Sequence, residues 1–401
     1  MFRRYLVTPL TCLLALMLSV TSPLQAQSRG GLFPRTTDGI HLEMVFNFLQ
    51  RDIGKESGHV DMVWGSDYAT DPPGVYNTAY IPYSVDYYSY HLSWYQQNHP
   101  DWLEYQCDRT TLAFEFGATT LAPLDFSNPD VRAFQWSNWV DAPLALGYGG
   151  IAVDTIYLTN EWARCGHFDQ SGQWVQQFTG NRSESVFRKA VLDWESATYQ
   201  HAHDFSPTAT MQVNVIDQFD QPQQDNRQMM TTTDLVFDER GFTNWGGGHV
   251  TPEEWLGIVK AIKYVQSAGV CYGLNGEVNG PSRQISLAQK LWIIANYLLV
   301  KDDCTYMYME GYSPQTGSDY GRLILFPEYK IKIGHPLSDM AKRQGVWQRE
   351  YSGGMVFVNP SDQGLQVKLP PGIWKKVNHE RVGPFLHIPR HAGQVLLGGK
   401  G

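Results

Sequence analysis

Two short apolar runs in this chain end in carboxylates: Gly149-Gly150-Ile151-Ala152-Val153-Asp154 and Asp234-Leu235-Val236-Phe237-Asp238-Glu239. Continuous apolar runs rich in β-branched residues mark strands buried on both faces. An ionised group at the end of such a strand is expensive to bury unless it has partners or a task. Acidic groups at the C-terminal ends of parallel strands are where barrel enzymes keep their chemistry. Two of them suit cleavage of a glycosidic bond, one carboxyl protonated for the leaving group and the other ionised as nucleophile or base. Asp154 is the candidate for the ionised member, because Ala152 and Gly150 share its side of the strand and leave room for a substrate. The acid is open between two neighbours. Glu239 precedes Phe242, Asn244 and Trp245, an apolar wall that would raise a carboxyl pKa. Asp238 shares its side with Val236, Glu239 with bulky Phe237, and either side could face the barrel axis. The structural alternative is an ion pair to Arg240.

Further polar and aromatic residues fall near the ends of other runs. Asn275 and Glu277 follow Gly269–Leu274, and Glu310 closes Met307-Tyr308-Met309-Glu310; the two glutamates suit substrate binding or a reserve catalytic role. Asp125 fits a helix cap better than a sugar ligand, since Pro129 follows at the distance of a helix start. Asp67 and Asp108 are rim candidates. Trp64, Trp162 and Trp245 are candidates for stacking on sugar rings, against the plain alternative of core packing.

The elements that would position these residues read as eight buried strands: Val60–Gly65, Thr78–Pro82, Trp102–Cys107, Gly150–Leu158, Thr208–Ile216, Asp234–Glu239, Gly269–Leu274 and Thr305–Glu310. Helical patterns lie between several of them, at Val85–Gln97, Pro129–Leu144, Ser183–His201, Thr251–Ser267 and Ser286–Leu299. Thr251-Pro252-Glu253-Glu254 is a strong helix start, with an N-cap, Pro at the first position and acids in the first turn. Strand and helix in alternation imply an α/β fold, a (β/α)8 TIM barrel, over residues 41–340. From residue 345 short strand-like runs separated by Gly, Pro, Asn and Asp imply a small C-terminal antiparallel β-sandwich, residues 345–401.

The N-terminus, Met1-Phe2-Arg3-Arg4 with an apolar stretch and Leu24-Gln25-Ala26, reads as a secretory signal peptide over residues 1–26, followed by a linker over 27–40. The chain beyond it is expected to be secreted or periplasmic, with no stable membrane insertion. Without the leader, 29 basic residues face 40 acidic ones, which argues against nucleic acid as a partner. The 13 Trp and 22 Tyr are an aromatic surplus that suits a carbohydrate partner. Four cysteines remain. Cys107 and Cys165 sit in loops after predicted strands and could bridge, whereas Cys271 and Cys304 read as buried thiols. The 12 His form no HExxH, and neither a GxSxG elbow nor a P-loop or GxGxxG after a strand occurs, so neither metal nor nucleotide cofactor is expected.

The ordered motifs His99-Pro100-Asp101-Trp102, Cys107-Asp108-Arg109-Thr110, Leu124-Asp125-Phe126-Ser127-Asn128-Pro129, Ala152-Val153-Asp154 and Asp238-Glu239-Arg240-Gly241-Phe242 resemble glycoside-hydrolase-like family 15. That group of hypothetical glycosidases is related in pattern to polygalactosaminidase-type and α-galactosidase-type barrels. The resemblance spans roughly residues 55–360. It implies a TIM barrel, a catalytic carboxylate on the fourth strand at Asp154, and an acid on the sixth at Glu239 or Asp238. Related barrels suggest a retaining mechanism. The reading is an exported glycoside hydrolase acting on a polysaccharide or oligosaccharide, the alternative a non-catalytic carbohydrate-binding protein on the same scaffold.

Overall fold

A computed structural model describes residues 33, 35–36, 38–47, 60–67, 75–87, 89–215, 223–312 and 321–399. Eight parallel strands form one sheet in chain order: β1 (Glu43–Asn47), β2 (Met62–Ser66), β3 (Tyr76–Pro82), β4 (Gly150–Asp154), β5 (Thr210–Asn214), β6 (Leu235–Asp238), β7 (Cys271–Asn279) and β8 (Thr305–Tyr312). A parallel bridge between Leu42 and Met307 brings the two edges together, so the barrel is nearly closed. Seven of the eight expected strands are present. Trp102–Cys107 is not among them. Pro100–Trp102 is a single 3-10 turn, and Tyr105–Gln106 pairs antiparallel with Arg164–Phe168, which pairs in turn with Trp174–Gln176. That small sheet sits outside the barrel. The strand missed is β1, whose Glu43 is buried in the core and gave the run a polar appearance.

The helices between strands include α1 (Pro129–Gln135), α2 (Ser185–Phe205), α3 (Gln223–Met229), α4 (Pro252–Ser267) and α5 (Leu287–Val300), with the short helices Leu92–Asn98 and Ala142–Ala145 flanking α1. Connections β1–β2 and β2–β3 fall largely outside the described residues. In α4, Thr251 and Glu254 close a reciprocal capping box, and Trp255, Ile258, Val259, Ile262 and Val265 recur at helical spacing on the buried face. Ser286 and Gln289 cap α5 in the same way. None of the helices among the described residues is long and apolar enough to cross a membrane.

The barrel interior is filled by large side chains. Trp64 is fully buried, stacked on Phe237 with ring centroids 4.6 Å apart and edge-on to Phe46 at 5.2 Å. Each such aromatic contributes roughly 1.5–3 kcal/mol through burial. Residues 1–26, the expected leader, lie outside the described residues. Within the expected linker, Phe33 is buried against Tyr76 and Tyr306 at the N-terminal ends of β3 and β8, so this part of 27–40 plugs the barrel floor. Among the described residues there are two disulfides. Cys107–Cys165 ties the small antiparallel sheet. Cys271–Cys304 corrects the expectation of two buried thiols: β7 begins at Cys271, Cys304 immediately precedes the neighbouring β8, and their Cα atoms are 5.0 Å apart.

Beyond β8, a six-stranded antiparallel sheet (Ala341–Arg343, Val346–Tyr351, Gly354–Asn359, Ala392–Gly399, Ile373–Lys376, Arg381–Val382) and the pair Leu365–Lys368 with Phe385–Ile388 share an apolar core around Val346, Phe357, Val367, Trp374 and Ile388. This sheet caps α5. Arg349 donates to the Lys301 carbonyl at 2.6 Å and to the Leu298 and Leu299 carbonyls at 3.3 Å, and Tyr351 donates to Leu298 at 2.6 Å. These donors satisfy carbonyls that a helix C-terminus leaves open.

Candidate functional site

Along β4, Gly150, Ala152 and Asp154 share the inward side. A Cβ on Gly150 would collide with the Thr210 carbonyl of β5, so the barrel closes tightly here only because that residue is glycine. Asp154 ends the strand at the barrel mouth and is half-buried. Its Oδ2 accepts from the Tyr80 hydroxyl at 2.8 Å, and its Oδ1 accepts from Asn214 Nδ2 and from the Thr155 backbone N–H, both at 2.8 Å. Burial raises the Asp154 pKa above the ordinary carboxylate value, while the three donors pull the other way. Thr155 holds φ at 62°, a left-handed conformation that a β-branched residue adopts only under constraint. The strained turn aims the Thr155 N–H at the carboxylate.

Glu239 stands immediately after β6, half-buried at the same mouth. Its Oε2 accepts from the same Asn214 Nδ2 at 2.9 Å. One amide nitrogen therefore spans Asp154 and Glu239, and the two contacts, 2.8 and 2.9 Å, cap the separation of those oxygens at their sum, 5.7 Å. Asp238 points to the other side of β6. It is buried, accepting from the Gly241 N–H and from the Tyr272 hydroxyl, each at 3.0 Å. Gly241 takes φ 49°, and a Cβ there would strike the Asn275 carbonyl, so the Asp238 carboxylate anchors a turn that only glycine fits. The bulky Phe237 faces inward against Trp64, and that contact sets the phase of the strand.

Above the two carboxyls lies a cleft of about 470 Å³ lined by Tyr87, Phe116, Thr155, Tyr157, Asn214 and Trp245, among others. Phe116 is 70 % exposed and Trp245 42 %, and both hold φ near +50°. Burial and the charges of Asp154 and Glu239 push the Tyr157 phenol upward, which keeps it a hydrogen-bond donor. Trp162 does not line the cleft itself. It buttresses Phe116 at 5.4 Å and Tyr157 at 5.8 Å. The wall is pinned beneath by a fully buried ion triad in which Arg164 contacts Glu104 and, at 2.7 Å, Glu115. Burial lifts Glu104 to about 8 even against the opposing charge of Arg164.

The remaining sequence candidates divide by position. Glu277 on β7 pairs in register with Glu310 on β8, and both are buried. Burial, then the charge of Glu239, raises Glu277 to about 8, which places it beside the acid candidate as a protonated group at neutral pH. Asn275 is buried and donates to Glu310 at 3.1 Å. Trp64 lies under the site, sealed from solvent, and offers no stacking face. Asp125 does not cap α1; Asn128 does, accepting from the Asp130 N–H. Asp125 is instead a buried anchor accepting from Ser127 at 2.6 Å and Gln177 at 2.7 Å, with His167 at 3.0 Å. Burial raises its pKa, but those partners hold it below the ordinary value. Asp108 is exposed and closes a turn on Thr110 and Thr111, and Asp67 is exposed just past β2. Tyr80, Tyr87, Phe116, Tyr157 and Asn214 were not singled out from the sequence. Asn214 had a legible signal, because Thr210, Gln212 and Asn214 alternate with Met211 and Val213.

The model of hypothetical glycosyl hydrolase family 15 matches residues 75–355. The chain belongs to that family. No curated protein matches it. Among solved structures, the family-15 chain is similar to the noncanonic maltogenic α-amylase AmyB from Thermotoga neapolitana, at 11 % identity and TM-score 0.51, covering 89 % of this chain and 99 % of that one. It is similar to an Anoxybacillus α-amylase at 10 % identity and TM-score 0.50, covering 91 % and 99 %. It is also similar to the glycoside hydrolase domain of PelA from Pseudomonas aeruginosa, at 11 % identity and TM-score 0.43, covering 69 % and 96 %. At these identities the two amylase structures speak to the fold.

Proposed function

We propose that the chain is an exported retaining glycoside hydrolase acting on a polysaccharide or oligosaccharide, built on a (β/α)8 barrel with a C-terminal β-sandwich. The observation that carries the reading is the shared donor: Asn214 Nδ2 holds Asp154 and Glu239 across the floor of an aromatic cleft. An oxygen separation of no more than 5.7 Å fits the roughly 5 Å spacing of retaining pairs better than the roughly 6.5–9.5 Å that leaves room for an inverting water. Asp154, steadied by Tyr80, Asn214 and Thr155, attacks the anomeric carbon as Glu239 protonates the departing glycosidic oxygen. The bond to the leaving sugar breaks and an ester to Asp154 forms. Glu239, now ionised, takes a proton from water, which attacks the same carbon and releases Asp154. Tyr87, Phe116, Tyr157 and Trp245 supply apolar faces for sugar rings. Two disulfides are in keeping with export to an oxidising compartment.

The test is a panel of polysaccharides and oligosaccharides with mass analysis of products. The wild-type protein releases shorter chains from at least one member, and Asp154→Asn, folded to the same melting temperature, releases none. Wild-type turnover in Asp154→Asn removes that residue from the mechanism.

A further inference from the structure

A second groove, of about 360 Å³, lies beside the cleft and is lined by Tyr87, Ser89, Tyr90, His91, Trp94 and Gln97, among others. Tyr87 belongs to the walls of both. Resting on the hydrolase reading of the cleft, we propose that this groove is a distal subsite for a neutral glycan chain that leaves the catalytic cleft across Tyr87, so that the substrate is a polymer rather than a free disaccharide.

The floor of the groove is an aromatic platform. Tyr90 lies flat on Trp94, with centroids 3.8 Å apart and planes 10° apart, and still exposes 44 % of its surface. Tyr87 stands edge-on to Tyr80, the tyrosine that donates to Asp154. A chain stacked on the platform would therefore lead directly to the nucleophile. The apolar face of a hexose stacks on such rings, while Ser89, His91 and Gln97 meet its hydroxyls.

The platform is built rigid before any ligand arrives. Buried Asp86 accepts from the Ser89 N–H at 2.7 Å, the Tyr90 N–H at 2.9 Å and the Tyr95 hydroxyl at 2.6 Å. Trp139 Nε1 donates to Ser89 Oγ at 2.9 Å. A surface turn held by a buried carboxylate spends little ordering entropy on binding. Among the described residues that line the groove none is Asp, Glu, Lys or Arg, which favours a neutral chain over a charged one.

The test uses the Asp154→Asn protein and calorimetric titration with disaccharides and heptasaccharides of glucose, mannose, galactose and N-acetylglucosamine, with oligogalacturonates as the charged comparison. In at least one neutral series the heptasaccharide is expected to bind ten-fold or more tightly than the disaccharide. Adding Tyr90→Ala and Trp94→Ala should erase that length dependence. Ser93→Arg, on the exposed side of the short helix Leu92–Asn98, should block the groove without touching the stacked pair. The proposal is overturned if no neutral series shows length dependence, if only the galacturonates do, or if the dependence survives both changes. Loss of length dependence in the variants, with no cleavage of that series by the wild-type protein, would keep the subsite and remove the hydrolase reading.

Discussion

Glu277 offers a prediction whose size follows from its surroundings. Its carboxyl titrates near 4.5 when solvated and near 8 in the folded chain, raised by burial and then by Glu239. Folding therefore takes up a proton between these values. The sign follows: stability is fully present below pH 4.5 and is lost as pH rises toward 8. Each pH unit in that window costs about 1.4 kcal/mol, so by pH 7 the penalty is roughly 3 kcal/mol. Glu277→Gln keeps the shape and the neutral hydrogen-bonding character but removes the titration. For a chain of this size, melting entropies near 2.1 cal/mol/K per residue convert roughly 3 kcal/mol to a shift of about 3–4 °C. Thermal melts of wild-type and Glu277→Gln protein from pH 4 to 8 should coincide at the acid end and diverge upward in favour of the variant. Other buried acids, such as Glu43 and Glu195, are common to both proteins and cancel in the difference. Parallel melting curves across the whole range would refute the assignment of a protonated Glu277 beside Glu239.

Other expectations concern the same scaffold. Asn214→Ala removes the donor common to both carboxyls, and kcat should fall by about 10²-fold or more with little loss of melting temperature, read by steady-state kinetics on whichever glycan the panel identifies. Arg164→Met leaves Glu104 and Glu115 buried without their cation and should destabilise the fold by about 3–5 kcal/mol in chemical denaturation. Cys271→Ser paired with Cys304→Ser should cost about 2–4 kcal/mol, read as a lower denaturation midpoint that added reductant no longer changes further through this bond.

The carboxylate runs were legible because buried parallel strands show themselves as apolar stretches, and β4 and β6 do so plainly. The strand β1 did not, since Glu43 sits inside the barrel with neither oxygen hydrogen-bonded to a described residue and a pKa raised well above the ordinary value by burial. A charged letter in sequence can be a neutral group in the core. Tyr105–Gln106 carried strand character truly but paired with a local antiparallel sheet, a partnership that periodicity does not encode. Which of Asp238 and Glu239 faces the cleft was closed to sequence reasoning, because the phase of β6 is set by Phe237 packing on Trp64 from a distant strand. Asp125 looked like a helix cap by spacing alone. Its partners Gln177 and His167 come from a segment folded back beside it, and the capping role falls to Asn128.

The most direct test of the central claim is covalent trapping. Wild-type protein is incubated with a set of 2-deoxy-2-fluoroglycosyl fluorides and digested, and the peptides are read by mass spectrometry. A retaining hydrolase with Asp154 as nucleophile gains one fluoroglycosyl unit on the peptide that contains Asp154, and Asp154→Asn gains none. A label on Glu239 or Glu277 instead, or inversion at the anomeric carbon when products are followed by NMR, would contradict it.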